Sequence, residues 1–413
     1  MGKWKTRAKS VLTKYYFRFY SRKYARTHEV EKNTVLFLSD VRAEIGGNMK
    51  FVADWLPDTY EIRSDFKADR REPRGKERFL KMIQNMTTCE YILLEDYFRY
   101  TSFMDVRPGQ QICQLWHGAG AYKKFGFSRE GNSEHIKIHP GYRKYAKAIT
   151  SADAIRPCYA EAFDISLDKV QATGIPRTDI FFDEEYIQKT REELYQEYPY
   201  LKGKKVILFA PTYRGIRADD AAYDFEQIQP DLFYERLGEE YIFLFKWHPA
   251  TYNNLKREEI SAYDLEKYNG FFRDFSQERD INDLLLITDI LITDYSSSMW
   301  DMSLTGKPVF LYCPDLKQYD RERGFYTPIE SWPSTCVSSG FLTVFAAIPW
   351  RSSAWGMSWR SRSCRSTPAK KGSPCPWWKI EFDAGPLRGH NGLVMQSVPP
   401  VPGRGMFSGC DTV

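Results

Sequence analysis

The sequence predicts an α/β protein in which two Rossmann-like domains face each other across a cleft. Short apolar, β-branched runs alternate with amphipathic segments, and this alternation is typical of doubly wound parallel sheets. The alternating region is too long for one such sheet, and a charged stretch at 183–204 separates its two halves. Because ligands bind beyond the carboxyl ends of parallel strands, we expect a site between the halves.

The expected N-terminal domain covers 29–190, and the expected C-terminal domain covers 191–330. Amphipathic helical segments are predicted at 76–87, 141–149 and 184–198. The strands follow from apolar runs that are four to six residues long. They are predicted at Thr34–Leu38, Tyr91–Leu94, Gln111–Trp116, Val206–Ala210, Tyr241–Phe245, Ile290–Thr293 and Val309–Tyr312.

Composition narrows the class of protein. The chain has 413 residues, of which 42% are hydrophobic and 27% are charged, as in an ordinary globular protein. No apolar run approaches the roughly 18–20 residues that span a bilayer, and no signal-peptide pattern follows the basic N-terminus. The eight cysteines include no C-x-x-C pair. We therefore expect a protein of the reducing cytosol.

Charge is distributed unevenly along the chain. Residues 1–28 carry nine Lys/Arg and no acid, whereas the body at 29–330 has an excess of about ten acidic residues. A nucleic-acid binder usually carries its positive charge on the folded body, so we do not expect nucleic acid as a partner.

Residues 1–28 are predicted to form a basic amphipathic helix. Such a helix can lie on an anionic membrane surface, where each Lys or Arg contributes about 1 kcal/mol. The alternative is a solvated helix that packs on the body. The apolar residues at roughly helical spacing are Trp4, Val11, Leu12, Tyr15, Tyr16, Phe19 and Tyr20.

Known cofactor motifs are missing from the sequence. There is no Walker motif, no G-x-G-x-x-G after a strand and no G-x-S-x-G elbow. No His/Cys/Asp cluster has metal-ligand spacing. We therefore expect no metal and no cofactor.

Two histidines follow predicted strands and are the candidate catalytic residues. His117 comes directly after the strand that ends at Trp116, in a position where it could act as a general base. Lys123 follows within reach of an anion. His248 comes after the strand Tyr241–Phe245, and Lys246 precedes it as a candidate anion ligand.

Two further strand ends carry candidate phosphate-binding residues. Thr212 and Arg214 follow the strand Val206–Ala210, and a guanidinium at such a turn suits a phosphate. Asp294, Ser296 and Ser297 precede a predicted helix, whose N-terminus favours an anion. Together the four clusters predict a nucleotide diphosphate as ligand and phosphoryl-type transfer as chemistry.

The same segments resemble the CDP-glycerol glycerophosphotransferases, which build teichoic acids and capsular polymers in bacteria. The resemblance covers roughly 34–330. Its motifs are GNMK at 47–50, WHGAGAYK at 116–123, GIPRTD at 174–179, APTYR at 210–214, KWHP at 246–249, TDYSS at 293–297 and GKP at 306–308.

The resemblance implies a glycosyltransferase-B-like fold and a reaction in which an acceptor hydroxyl attacks the β-phosphate of CDP-glycerol, releasing CMP. It implies catalytic roles for His117 and His248 and a donor-side position for Arg214, Ser296 and Ser297. It also implies that 29–190 is the acceptor side and that 191–330 binds CDP-glycerol. The implied acceptor is a lipid-linked polyprenyl diphosphate saccharide or polymer. The implied location is the cytoplasmic face of the membrane, as a peripheral protein. His135 and His139 belong to none of these motifs, and we interpret them as surface or structural residues.

Three alternatives stay open. The same chemistry could use CDP-ribitol, which the motifs do not exclude. An ordinary sugar-nucleotide glycosyltransferase would transfer a saccharide instead. The third alternative is an inactive protein with a damaged C-terminus, which the composition of the last 83 residues suggests.

The tail at 331–413 differs abruptly from the body. All 27 tyrosines precede it, while Arg, Ser, Pro and Gly are crowded within it. We hypothesise that it is translated out of frame and disordered; the alternative is a genuine extension. Resequencing the gene would test this, and an intact reading frame would contradict it.

Overall fold

Two parallel β-sheets organise the chain. The fold is that of a computed structural model, which describes residues 2–67, 73–129, 139–214, 228–248, 251–252, 267–327 and 336–338. Within these residues each sheet has six strands, and all strand pairs are parallel. The prediction of two parallel α/β domains is therefore confirmed.

The first sheet has the strand order β2-β1-β3-β4-β5-β6. The order reverses between β1 and β3, and the carboxyl ends of such neighbouring strands border a crevice where ligands bind. β3 is buried along its whole length, which explains its continuous apolar run. The strands are β1 Glu31–Ser39, β2 Glu61–Phe66, β3 Cys89–Leu94, β4 Gln111–Gln114, β5 Lys147–Ile149 and β6 Val170–Gln171.

The second sheet has the strand order β12-β11-β10-β7-β8-β9. Its reversal lies between β7 and β10, the two strands that precede Thr212 and Asp294. The sheet therefore brings two of the predicted clusters to one crevice. The strands are β7 Lys205–Phe209, β8 Tyr241–Phe245, β9 Phe272–Asp274, β10 Ile290–Thr293, β11 Val309–Tyr312 and β12 Cys336–Ser338.

Helices and apolar side chains cover both faces of each sheet. In the second sheet, Phe209, Phe243 and Phe272 belong to the core on one face, and Leu208 and Leu291 belong to the core on the other. The helices are α1 Gly2–Thr27, α2 Gly47–Trp55, α3 Lys76–Thr88, α4 Arg156–Phe163, α5 Glu184–Glu197, α6 Pro230–Leu237, α7 Ile281–Ile287, α8 Ser298–Ser303 and α9 Leu316–Arg323.

The N-terminal helix α1 has one buried face and one exposed face. Phe17 is fully buried in the core of the first domain, and Ser21 hydrogen-bonds Thr87 of α3 at 3.0 Å. Tyr15 and Phe19 are 69% and 64% exposed on the opposite face. The helix therefore packs on the body and still presents an apolar stripe outward. In the part of the chain that the structure describes, no helix is long and apolar enough to cross a membrane.

Most predicted elements are confirmed to within two residues. The helix predicted at 141–149 is wrong, because that segment forms a short 3₁₀ turn at Tyr142–Lys144 and then the buried strand β5. Strand β4 ends at Gln114, two residues before the predicted end, since Trp116 has a positive φ. The prediction did not include the strands β2, β5, β6, β9 and β12.

Most of the expected tail lies outside the described residues, as does His135. Residues 336–338 are the exception, because their backbone pairs in parallel with β11. The second sheet therefore extends past the boundary that we expected at residue 330.

Truncating the buried ring of α1 should destabilise the protein, whereas truncating its exposed neighbour should not. We expect Phe17→Ala to lower the free energy of unfolding by about 3–5 kcal/mol, since it removes a fully buried side chain. Phe19→Ala is the matched control and should change it by less than about 0.5 kcal/mol. Urea denaturation would measure both, and equal effects would contradict docking of α1.

Candidate functional site

A cavity of about 340 Å³ lies between the two domains. The first domain contributes His117 and Lys123, which follow β4, and the second contributes Ser297, which follows β10. Its lining residues are Trp116, His117, Gly118, Gly120, Tyr122, Lys123, Lys124, Phe125, Gly126, Arg129, Tyr142, Ser297, Tyr319 and Arg323.

The imidazole of His117 is oriented by two acceptors at the end of β3. Its Nδ1 lies 3.0 Å from the Glu95 carbonyl oxygen and 3.2 Å from the Asp96 carboxylate. A carbonyl oxygen can only accept, so Nδ1 carries a proton, and in the neutral imidazole Nε2 keeps a lone pair. Desolvation lowers the pKa of His117, but Asp96 and the Glu95 carbonyl outweigh it, and the pKa lies above its ordinary value.

The backbone that precedes His117 is in the left-handed region, with φ +55° at Trp116. A non-glycine residue adopts this conformation only where its surroundings hold it there. The Gln114 side-chain oxygen accepts from the Trp116 N–H at 2.9 Å, and Asn48 donates to the Trp116 carbonyl at 2.7 Å. The tryptophan is therefore fixed from both sides.

Side chains also fix the next two carbonyls of this loop. Arg177 donates to the carbonyl of His117 at 3.0 Å, and Tyr159 donates to that of Gly118 at 2.9 Å. Three consecutive carbonyls thus accept from three different side chains. This arrangement preorganises the loop that carries His117.

Arg177 also joins the two domains. It is buried, and its guanidinium donates to Asp301 at 2.9 Å and to Asn282 at 3.0 Å, both in the second domain. Its backbone N–H donates to Asn48 of the first domain at 3.0 Å. Burial raises the pKa of the Asp301 carboxyl, and the adjacent Arg177 opposes that rise. The buried pair therefore couples the His117 loop to the second sheet.

His248 approaches the same cleft from the second domain. Its ring centroid lies 4.8 Å from that of Tyr213. Desolvation, together with the charges of Lys123 and His117, lowers the pKa of His248 to about 4. His248 is therefore neutral near pH 7. The ring of Tyr213, which contacts His248, lies 5.7 Å from the guanidinium of Arg323, and Arg323 lines the cavity. His248 therefore lies beside the cavity that His117 lines.

Three of the predicted phosphate-binding residues line this site or lie next to it. Lys123 lines the cavity, and desolvation together with nearby arginines lowers its pKa to about 8. Ser297 also lines the cavity, and Ser296 Oγ lies 2.9 Å from Ser298 Oγ at the start of α8. The structure thus places Lys123 and Ser297 at the cavity, and their binding of phosphate stays a prediction.

Three others, Arg214, Asp294 and Lys246, have partners within the protein, and their predicted contacts with phosphate stay a prediction. Arg214 donates to Asp294 at 2.8 Å and to both oxygens of Asp315 at 2.6 and 3.0 Å. Asp294 is 1% exposed and also accepts from the Thr212 N–H at 2.8 Å. Lys246 donates to backbone carbonyls at 275–279, including that of Phe275 at 2.9 Å. Their polar groups are engaged within the protein.

Thr212 combines features of both groups, because its backbone has a partner within the protein and its side chain has none among the described residues. Its backbone is fixed by Asp294, and its hydroxyl is buried. Among the described residues, that hydroxyl has no hydrogen-bond partner. A bound ligand or water could supply one.

The sequence analysis did not identify Asp96, Arg129, Arg177 and Arg323. Asp96 had a detectable signal, because it follows the buried strand β3 and the carboxyl ends of adjacent strands meet at one edge. Arg177 lies in the segment at 174–179, but its partner Asp301 is 124 residues away in the chain. No local pattern connects Arg129 with Arg323.

Comparisons with known proteins agree with this architecture. A family model described as CDP-glycerol:poly(glycerophosphate) glycerophosphotransferase matches residues 19–350. The teichoic acid poly(ribitol-phosphate) polymerase of Bacillus spizizenii is 40% identical over 304 residues, which are 72% of this chain and 48% of that protein. The teichoic acid glycerol-phosphate primase of Bacillus subtilis is 30% identical over 250 residues, 59% of this chain and 61% of that protein. The chain thus spans roughly half to two thirds of these relatives.

A solved structure shows the same fold. The wall teichoic acid polymerase TagF superposes with a TM-score of 0.63 at 19% identity, covering 83% of this chain and 87% of that one.

Removing the guanidinium of Arg177 should destabilise the protein strongly. Arg177→Met leaves the Asp301 carboxylate buried without its partner, so we expect the free energy of unfolding to fall by about 3–5 kcal/mol. The double variant Arg177→Met/Asp301→Leu should recover part of that loss, because it also removes the unpaired charge. Urea denaturation would measure both variants. A single variant as stable as the wild type would contradict the linking role of Arg177.

Proposed function

The chain belongs to the CDP-glycerol:poly(glycerophosphate) glycerophosphotransferase family, and from this premise we propose that it transfers a polyol phosphate. The donor is a CDP-polyol, the acceptor is a hydroxyl of a teichoic acid or related capsular polymer, and CMP is released. The observation that carries this proposal is the contact of His117 Nδ1 with the Glu95 carbonyl oxygen, in a loop that lines the same cavity as Lys123 and Ser297.

In this reaction His117 Nε2 takes the proton of the acceptor hydroxyl. The hydroxyl oxygen forms a bond with the β-phosphorus, and the bond from that phosphorus to the bridging oxygen breaks. CMP leaves with the electron pair of the broken bond. Asp96 orients the ring and stabilises the imidazolium that forms, which is the usual role of such a carboxylate.

His248 has a different role in the proposal. Because its pKa is lowered to about 4, it works as a neutral imidazole and not as a cation. A neutral ring can donate one hydrogen bond to a phosphate oxygen, and Lys123 nearby supplies positive charge. Because their surroundings shift their pKa values in opposite directions, the two histidines have different roles in the proposed reaction.

The polyol of the donor is either ribitol or glycerol. The motifs led us to expect CDP-glycerol. The ribitol-phosphate polymerase is 40% identical to this chain and the glycerol-phosphate primase 30%, which favours CDP-ribitol. We propose CDP-ribitol as the preferred donor and CDP-glycerol as the second candidate.

We further propose a glycosyltransferase-B-like arrangement, in which 29–190 binds the acceptor and 191–330 binds the donor. The cavity between the domains supports it, as does the reversal of strand order between β7 and β10. Thr212 and Ser296 follow these two strands and would lie beside the donor.

A peripheral position on the cytoplasmic face of the membrane completes the proposal, since the expected acceptor is lipid-linked. The outward stripe of α1 supports it, with Leu12, Tyr15 and Phe19 all more than half exposed. Basic residues flank this stripe and would contact anionic headgroups.

Release of CMP would test the proposed reaction. With a lipid-linked acceptor, we expect CMP from CDP-ribitol and CDP-glycerol but no saccharide transfer from a UDP-sugar. His117→Ala should lower kcat at least about 100-fold, since a positioned acid-base group contributes that much. His248→Ala should also lower kcat about 100-fold, since one hydrogen-bond donor to the charge that develops in the transition state contributes that much.

The matched control is His28→Ala, which removes an exposed histidine just after α1 and should leave turnover unchanged. Saccharide transfer from the UDP-sugar would support the glycosyltransferase alternative. A folded protein that uses none of the donors would support the inactive alternative.

Vesicle binding would test the membrane contact. We expect the variant Leu12→Ser/Tyr15→Ser/Phe19→Ser to bind anionic phosphatidylglycerol vesicles at least about tenfold more weakly, because it removes the exposed apolar stripe. Its unfolding curve should stay close to that of the wild type. Sedimentation with vesicles would measure binding, and unchanged affinity would contradict contact through this stripe.

A further inference from the structure

Three cationic side chains from both domains line the cavity. Lys123 and Arg129 come from the first domain, and Arg323 comes from the end of α9 in the second. Within the described ranges, neither Lys123 nor Arg129 has a carboxylate at ion-pair distance, and the buried Nε of Arg129 has no hydrogen-bond partner. The Asp294 carboxylate, which attracts Lys123, is already paired with Arg214.

These cations repel one another. Desolvation lowers the pKa of Lys123, and Arg323, Arg214 and Arg129 add to that effect. Desolvation and Arg323 likewise lower the pKa of Arg129. Lys123 and Arg129 are thus held near Arg323 with no carboxylate at ion-pair distance from either of the two within the described residues. Such an arrangement is costly, and a bound anion would relieve the cost.

A short segment that follows α9, residues 324–326, fixes this arrangement, and we call it the strap. After α9, the chain crosses to the first domain and pairs with the loop that carries Lys123. The Lys124 N–H donates to the Gly324 carbonyl at 2.9 Å, and the Tyr326 N–H donates to the Tyr122 carbonyl at 2.7 Å. Arg323 directly precedes this strap, which therefore holds Arg323 opposite Lys123.

The cations lie close to both histidines. The Arg323 guanidinium lies 5.7 Å from the ring centroid of Tyr213, whose ring in turn contacts His248. His117 lines the same cavity. An anion bound among the cations would therefore lie near the two candidate catalytic groups.

We propose that Lys123, Arg129 and Arg323 form a phosphate subsite that exists only when the two domains are joined by the strap. Its ligand is a phosphate of the substrates, either the donor's diphosphate or a phosphodiester of an acceptor that already carries polyol phosphate. The identity of these substrates rests on the proposed function, whereas anion binding by the three side chains does not.

Two anionic probes would test the subsite: inorganic pyrophosphate for the donor and a glycerol-phosphate oligomer for the acceptor. Binding can be followed by tryptophan fluorescence, because Trp116 lines the cavity. We expect Arg129→Ala and Arg323→Ala each to raise the Kd of at least one probe about tenfold or more, as charge-assisted hydrogen bonds are lost.

Arg321→Ala is the matched control, since it removes the same charge from an exposed position on the same helix. It should change neither Kd more than about twofold, because surface charges contribute little. Arg323→Lys should retain part of the affinity, and unfolding curves of all variants would identify any that fail to fold.

The outcomes separate the ligands. A weaker affinity for pyrophosphate assigns the subsite to the donor, and a weaker affinity for the oligomer assigns it to the acceptor. Folded variants that bind both probes like the wild type would overturn the subsite, and so would an equal loss in Arg321→Ala.

The same experiment separates the subsite from the proposed function. Wild-type protein that releases no CMP from either CDP-polyol, but binds pyrophosphate through these arginines, would contradict the function and support the subsite. Normal turnover and probe binding in the arginine variants would contradict the subsite alone.

Discussion

The buried guanidinium of Arg177 is the interaction on which the site depends. It donates to Asp301 and Asn282 in the second domain and to the His117 carbonyl in the first, so one side chain fixes both the domain contact and the loop that carries His117. An isolated charge at this depth would be very unfavourable, and the pairing with Asp301 makes its burial tolerable. The geometry of the His117 loop and the docking of the domains are therefore not independent. A change that weakens one should disturb the other.

The pKa values of the two histidines in the cleft are shifted in opposite directions. His117 lies against the Asp96 carboxylate, which raises its pKa, whereas His248 lies near Lys123 and has a pKa of about 4. The first can take up a proton during reaction, and the second stays neutral. This division suits a transfer in which one group accepts a proton while cations and neutral donors hold the phosphates. The arrangement needs both domains, because Lys123 and Arg323 come from different sheets.

The sequence analysis predicted the central strands of both sheets, because buried parallel strands are continuous apolar runs, and it missed the strands toward the sheet edges. It predicted the positions of His117 and His248 for the same reason, since strand ends are visible in the sequence. It could not tell Lys123, which faces the cavity, from Lys246, whose ammonium binds the carbonyls near Phe275. Both are lysines near a strand end, and only tertiary contacts separate them. The helix predicted at 141–149 failed because a short buried strand has too few residues for its period to be distinct.

The measurement that tests the central claim most directly is the titration of the His117 imidazole by ¹⁵N NMR, in the wild type and in Asp96→Asn. The claim is that the fixed loop directs Nδ1–H toward Glu95 and Asp96 and leaves Nε2 free toward the cavity. It predicts a neutral Nδ1–H tautomer and a pKa above the ordinary value of about 6.5. In Asp96→Asn the pKa should fall, because the carboxylate that favours the imidazolium is gone. A neutral Nε2–H tautomer, or a pKa that does not respond to Asp96→Asn, would contradict the account.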